Sequence, residues 1–158
     1  MPIRDFPPAP ALQPFAQVDC LVGPLTNLGP APLGERRCVP LLGGQVSGPG
    51  LSGRILPGGV DWQILRQDGV LEIAAHYVVA TDDGALVEVR SDGLRHGPPE
   101  VMARLSAGEA VPPAAYFFRT LVRLTTGAPA WLHLNRRMLV ASGERLADRV
   151  RLNLYDLG

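Results

Sequence analysis

Glycine and proline interrupt this chain so often, with 18 and 16 copies in 158 residues, that no long helix can run through it. They fall in clusters that mark turns: Gly43-Gly44, Pro57-Gly58-Gly59, Asp68-Gly69, Asp83-Gly84 and Gly97-Pro98. Between them lie short runs rich in β-branched and aromatic residues, the pattern of an all-β sandwich or barrel. The spacing predicts strands near 14–20, 39–46, 51–56, 60–66, 70–81, 85–90, 115–125, 130–141 and 149–155. Asp83-Gly84 predicts a type I′ hairpin turn, which requires positive φ at both central residues. One short helix is predicted over "PPEVMARLSAG", 98–108. Pro99 suits its first turn, Glu100 the positive end of its dipole, and Gly108 its end. At about three turns it is expected to plug a barrel end or pack beside one. Residues 1–11 read as an irregular Pro-rich terminus and 12–158 as a single β-barrel domain, the first ~35 residues supplying one strand.

Fifteen Lys plus Arg balance fifteen Asp plus Glu, for a formal net charge of zero. Nucleic-acid binding needs a basic face against phosphates, and the doublets Arg36-Arg37 and Arg136-Arg137 are too short to make one, so no nucleic-acid partner is expected. No apolar run approaches the ~20 residues of a membrane span, and "MPIRDFPPAP" lacks the apolar core of a secretory signal. The expectation is a cytoplasmic protein without a membrane partner, in which Cys20 and Cys38 stay as free thiols.

Several apparent motifs lack their physical context. "GPGLSG" at 48–53 matches G-x-G-x-x-G, but the following "RILPGG" cannot form the helix whose N-terminus would hold a pyrophosphate. His76, His96 and His133 are scattered, without an i, i+4 pair, and no C-x-x-C occurs, so no metal site is expected. There is no G-x-S-x-G elbow, and neither cysteine has a basic context.

What remains is polarity carried on strands. "LPGGVDWQILRQDG", 56–69, is a turn, a strand and a turn, and its strand carries Asp61-Trp62-Gln63 where apolar residues would be expected. Alternation sets Ile73, Ala75, Tyr77, Val79 and Thr81 against Glu72, Ala74, His76, Val78 and Ala80. In "AYFFRTLVRL" it sets Phe117, Arg119 and Leu121 against Tyr116, Phe118, Thr120 and Val122. In "AWLHLNRRMLV", read as a strand, Trp131, His133 and Asn135 share one face. Aromatic residues accompany hydrogen-bonding groups in each case, which fits a cavity wall better than a solvated exterior.

Over "LSGRILPGGVDWQILRQDGVLEIAAHYVVATDDG", "GPPEVMARLSAGEAVPPAAYFFRT" and "AWLHLN" the chain resembles an uncharacterised bacterial and fungal family, domain of unknown function 3237. The resemblance runs from about residue 12 to the C-terminus. It implies a closed antiparallel β-barrel of about eight strands, like allene oxide cyclases, dirigent-type proteins and lipocalins, with one short helix. Such relatives bind apolar or aromatic small molecules, and some steer cyclisation or isomerisation without a cofactor. By analogy a homo-oligomer, dimer or trimer, is expected. The positions matching the family's recurrent polar motifs are Asp61, Trp62, Arg66, Asp68, Tyr77, Asp82, Gly84, Tyr116, Arg119 and Asn135. The chain departs from the family at Leu124-Thr125-Thr126-Gly127, where a carboxylate is usual.

These readings converge on a barrel that binds a small apolar or aromatic carbonyl metabolite as a cofactor-independent isomerase, cyclase or lyase. Asp61 would be the general base, its pKa raised by desolvation; Arg119 and Asn135 would hold the carbonyl oxygen; Tyr77 or Tyr116 would supply a proton. Trp62 and Trp131 would stack on the substrate, with Arg66, His76, Phe117 and His133 completing the binding set. Two alternatives use the same residues: a carrier barrel without turnover, and a structural or interaction protein whose barrel is filled.

Overall fold

In the computed structural model, which describes residues 6–158, ten strands form one antiparallel sheet. They are β1 Gln13–Val22, β2 Thr26–Ala31, β3 Gly34–Ser47, β4 Gly53–Ile55, β5 Gly59–Leu65, β6 Leu71–Thr81, β7 Leu86–His96, β8 Phe117–Thr125, β9 Leu139–Arg145 and β10 Arg149–Asp156. The order β1-β10-β9-β8-β7-β6-β4-β3 returns on itself because β1 also pairs β3, from Gln17↔Ser47 to Val22↔Leu41. β4 and β5 occupy one place in this circuit, both lying between β3 and β6. The result is a closed eight-stranded barrel, with β2 added beyond the rim on the first half of β3.

Closure explains much of the glycine. A Cβ on Gly44, where β3 runs against β1, would sit 2.0 Å from the Asp19 carbonyl oxygen, so only glycine fits. Gly50 faces the Phe15 ring, which would lie 2.2 Å from an added Cβ. The residues of "GPGLSG" therefore serve close approach of chain segments.

Both hairpin turns adjoining β6 have three residues. Arg66 N–H donates to Val70 O at 2.9 Å across Gln67-Asp68-Gly69, and Thr81 N–H donates to Ala85 O at 2.8 Å across Asp82-Asp83-Gly84. Only the glycines, Gly69 and Gly84, have positive φ, +86° and +87°. The expected type I′ turn is thus replaced by a type I turn closed by a left-handed glycine.

Helix α1, Pro99–Ser106, falls inside the predicted 98–108, with Pro at its start, Glu100 in its first turn and Gly108 just beyond it at φ +79°. It inserts Leu105 into the core at one end of the barrel. The predicted strand 130–141 is corrected: Pro129–Arg136 is a 3₁₀ helix, and β9 begins only at Leu139. The 3₁₀ helix closes the opposite end, where Leu134 is fully buried. Three strands exceed expectation, since β2 lies in a stretch read as irregular, β3 begins five residues before Val39 and β7 continues six residues past Arg90.

Strand alternation sends one residue in two inward. Toward the 3₁₀ end the interior is packed with Val79, Val87, Val89, Val122 and Leu139, each at most 2% exposed. Burying each such aliphatic side chain contributes about 1.5–3 kcal/mol before the entropy of ordering it. The polar interior lies toward α1. Among the described residues no helix is long and apolar enough to cross a membrane.

Candidate active site

Toward the α1 end, the barrel interior holds a cavity of about 50 Å³. Apolar side chains such as Val18, Val39, Ile73 and Phe118 line most of it, and Asp61, Gln63, Tyr77, Ser91, Arg95 and Arg145 supply polar groups. Their strands explain the convergence. Asp61 and Gln63 are two apart on β5, hence on one face; Asp61 sits opposite Ala75 of β6 and Val39 of β3. Arg95 on β7 sits opposite Leu71 and Phe118, and Arg145 ends β9.

Asp61 is the centre of the cluster. Its Oδ2 accepts from Gln63 Nε2 at 2.8 Å and its Oδ1 from the Ala74 backbone N–H at 3.2 Å. Burial raises its pKa to about 6, against the opposing pull of the Gln63 hydrogen bond, the Arg95 charge, the Ala74 N–H and the Arg145 charge. Burial also lowers Arg95 to about 10, with the neighbouring Arg145 charge adding to the shift. Arg145 is lowered by burial as well, and its Nη1 donates to the Leu146 and Arg149 carbonyls at 2.8 and 3.3 Å. Tyr77 is raised by burial, so its phenol stays protonated. Ser91 Oγ donates to Thr120 Oγ1 at 2.9 Å.

The polar groups here are incompletely satisfied. Three buried side-chain atoms among the described residues have no partner: Arg37 Nε, Gln63 Oε1 and Arg95 Nε. Arg37 and Gln63 are register partners across β3 and β5, so all three belong to this end of the barrel. An unpaired buried donor or acceptor costs about 1–3 kcal/mol, and clustering three in one place is the mark of a site built for something other than stability.

The structure separates the residues singled out from sequence. Asp61 and Tyr77 face the cavity. Tyr116 is buried beside it, its hydroxyl accepting the Arg145 backbone N–H at 2.9 Å. The others lie elsewhere. Trp62, 39% exposed, points outward under the Arg36 guanidinium, 5.2 Å from its ring centroid. Arg119 is exposed, donating to the Phe118 carbonyl at 2.9 Å, and Phe117 stacks outside on His96 at 4.7 Å. Arg66 pairs with Asp68 in a turn, and His76 pairs with Glu88 at 2.6 Å on the outer face. Trp131, His133 and Asn135 sit on the 3₁₀ helix at the far end. There Trp131 Nε1 donates to Asp83 at 3.1 Å, and His133 stacks on Trp131. Asn135 accepts from Thr126 N–H and donates to Thr126 O, both at 2.9 Å. The lumen therefore draws on Gln63, Arg95 and Arg145, none of which the sequence reading assigned. Gln63 was visible by its two-residue spacing from Asp61.

Among the described residues no group of three or more His, Cys, Asp and Glu side chains is placed to hold a metal ion. Next to the cavity, a groove of about 430 Å³ runs between α1 and the barrel end, and Arg95 lines both spaces.

A UPF0311 protein of Rhodopseudomonas palustris strain TIE-1 is 41% identical over 136 residues, 86% of this chain and 89% of that protein. The crystal structure of a β-barrel-like protein from Acinetobacter baumannii AYE superposes with a TM-score of 0.84 at 36% identity, covering 96% of this chain and 98% of that one. A protein from Penicillium herquei described as an enzyme shares the fold at 19% identity and a TM-score of 0.69, covering 94% and 96%. The model of the family described as protein of unknown function (DUF3237) matches residues 10–157, and the chain belongs to that family.

Proposed function

We propose that the protein binds a small carbonyl compound at the Asp61 end of its lumen and moves a proton on it without a cofactor, as an isomerase, cyclase or lyase. The observation that carries this reading is Asp61, a carboxyl inside an apolar barrel with its pKa raised to about 6. A base with a pKa near neutrality combines a useful ionised fraction with a useful proton affinity, and such catalysis is worth about 10²–10⁴ in rate. Asp61 takes a proton from the carbon next to the carbonyl; the C–H electron pair moves into an enolate, and the proton is returned at a second position. In this reading Arg95 and Arg145 meet the charge developing on oxygen, the part that the sequence assigned to Arg119 and Asn135. Tyr77, kept protonated by burial, supplies a hydrogen bond. The Penicillium herquei neighbour supports only the compatibility of this fold with catalysis. A reducing compartment such as the cytoplasm accords with the unpaired Cys20 and Cys38.

The filled-barrel alternative has one observation in its favour: about 50 Å³ is far below the ~300–1,000 Å³ of ligand pockets. One experiment separates the readings. Aryl ketones such as 1-tetralone are incubated with the protein in D₂O, and exchange at the α-carbon is followed by NMR. Exchange that is lost in Asp61→Asn while ketone binding persists supports the enzyme. Binding without exchange supports a carrier; neither binding nor exchange supports the filled barrel.

A further inference from the structure

The strongest feature outside that chemistry is the position of Arg95. Its side chain forms part of the wall of the lumen cavity and part of the wall of the groove beside α1. We infer that the ligand is an anion with an apolar body: its carboxylate is held by Arg95, which leaves Arg145 to meet the charge developing on the carbonyl oxygen, and its skeleton lies in the groove between α1 and the barrel end. This deepens the reading above and rests on it for the role of the lumen.

Charge is the first argument. Inside the barrel, two guanidiniums, Arg95 and Arg145, face the single carboxylate of Asp61. The nearby carboxylates are already engaged: Glu35 lies 3.5 Å from Arg37, and Asp68 in the groove pairs with Arg66. Among the described residues Arg95 has no carboxylate within 4.0 Å. One positive charge is left over in a low-dielectric site, where an anionic ligand would neutralise it.

Hydrogen bonding is the second. Arg95 Nε is buried without an acceptor, and so is Arg37 Nε on the same groove wall. A carboxylate presents two oxygens in the plane that a guanidinium fork matches.

Size is the third. The cavity, about 50 Å³, takes the reacting end of a ligand and not its whole skeleton, whereas the groove of about 430 Å³ falls within the range of ligand pockets. Leu65, Val70, Leu71 and Met102 give the groove apolar walls. A ligand lying there with its carboxylate at Arg95 has its charged end on the wall that groove and lumen share.

The test compares naphthalene-2-carboxylate with naphthalene-2-carboxamide, which has nearly the same shape and no charge, by isothermal titration calorimetry at neutral pH and low salt. The carboxylate should bind at least about tenfold more tightly, the range expected when a charged hydrogen-bonded pair is lost. Arg95→Met should abolish that preference. Ala103→Trp, at an exposed α1 position on the groove wall, should weaken the carboxylate by about tenfold without touching Arg95. Should Arg95→Met fail to fold, the wild-type pair and Ala103→Trp still decide. Equal affinity for the two compounds, undiminished carboxylate binding in either variant, or no binding at millimolar concentration would overturn the inference. The α-proton exchange of neutral ketones is read separately, so the anion can fail while the proton-transfer reading stands.

Discussion

The Gln63 side-chain amide donates to Asp61 Oδ2 at 2.8 Å, while its own Oε1 is buried without a donor. The pair thus holds a carboxylate in place and keeps an acceptor in reserve, which makes Asp61 replaceable by an amide without disrupting the lumen.

Asp61→Asn should stabilise the protein at pH 8 and leave it unchanged at pH 4. A carboxyl whose folded pKa is about 6, above its unfolded value of ~4, holds an extra proton in the folded state between those limits. Its contribution is most favourable below the unfolded pKa and is lost as pH rises through about 6. Two pKa units correspond to about 2–3 kcal/mol of penalty that the neutral Asn does not carry. Rotation of the Gln63 amide lets Oε1 accept from the new Asn N–H. Urea unfolding at both pH values checks this; equal effects at pH 4 and 8 would contradict it.

Asn135→Ala should cost about 1–3 kcal/mol, because it strips the Thr126 N–H and carbonyl of their side-chain partner. Ligand binding should be unaffected, since the 3₁₀ helix closes the far end of the barrel. A fall in urea midpoint with unchanged probe affinity is the expected pair of results, and weaker probe binding would return Asn135 to the site.

Gly50→Ala should destabilise by about 1–3 kcal/mol, the usual cost of overpacking, because the new methyl group meets the Phe15 ring. Thermal unfolding measures it. The double variant Gly50→Ala with Phe15→Leu should recover part of the loss; no recovery would place the strain elsewhere.

Cys20 should resist alkylation. Burial raises its thiol to about 11, and thiolate is the reactive form. With iodoacetamide at pH 8, Cys38, which is only half-buried, should be modified first, and Cys20 only on unfolding. Peptide mapping by mass spectrometry distinguishes the two, and rapid labelling of Cys20 in the folded protein would show an open lumen.

The fold was legible because its punctuation is physical: paired turn residues bound most strands, and Pro99, Glu100 and Gly108 delimit α1. The 3₁₀ helix is hidden in the sequence because "WLHLN" alternates apolar and polar residues like a strand, and only Pro129 at its start signals the helical turn. For the site, neighbours on a strand point to opposite faces, so Asp61 turned inward requires Trp62 turned outward, and inward Phe118 and Thr120 require outward Arg119. Recurrent polarity in the family's motifs mixed both faces. Arg95 was hidden because the expected strand ends at Arg90 and Gly97-Pro98 marks a turn; β7 instead runs on to His96, and a Cβ on Gly93 would sit 2.0 Å from the Arg119 carbonyl oxygen, so this glycine serves close strand packing.

The proposed proton transfer depends on the proton affinity of one buried carboxyl, Asp61. A carboxyl-¹³C NMR titration, with the Asp61 resonance assigned by its absence in Asp61→Asn, measures that directly. An inflection close to pH 6 is the predicted result. An inflection at or below the ordinary aspartate value of ~4 would contradict it.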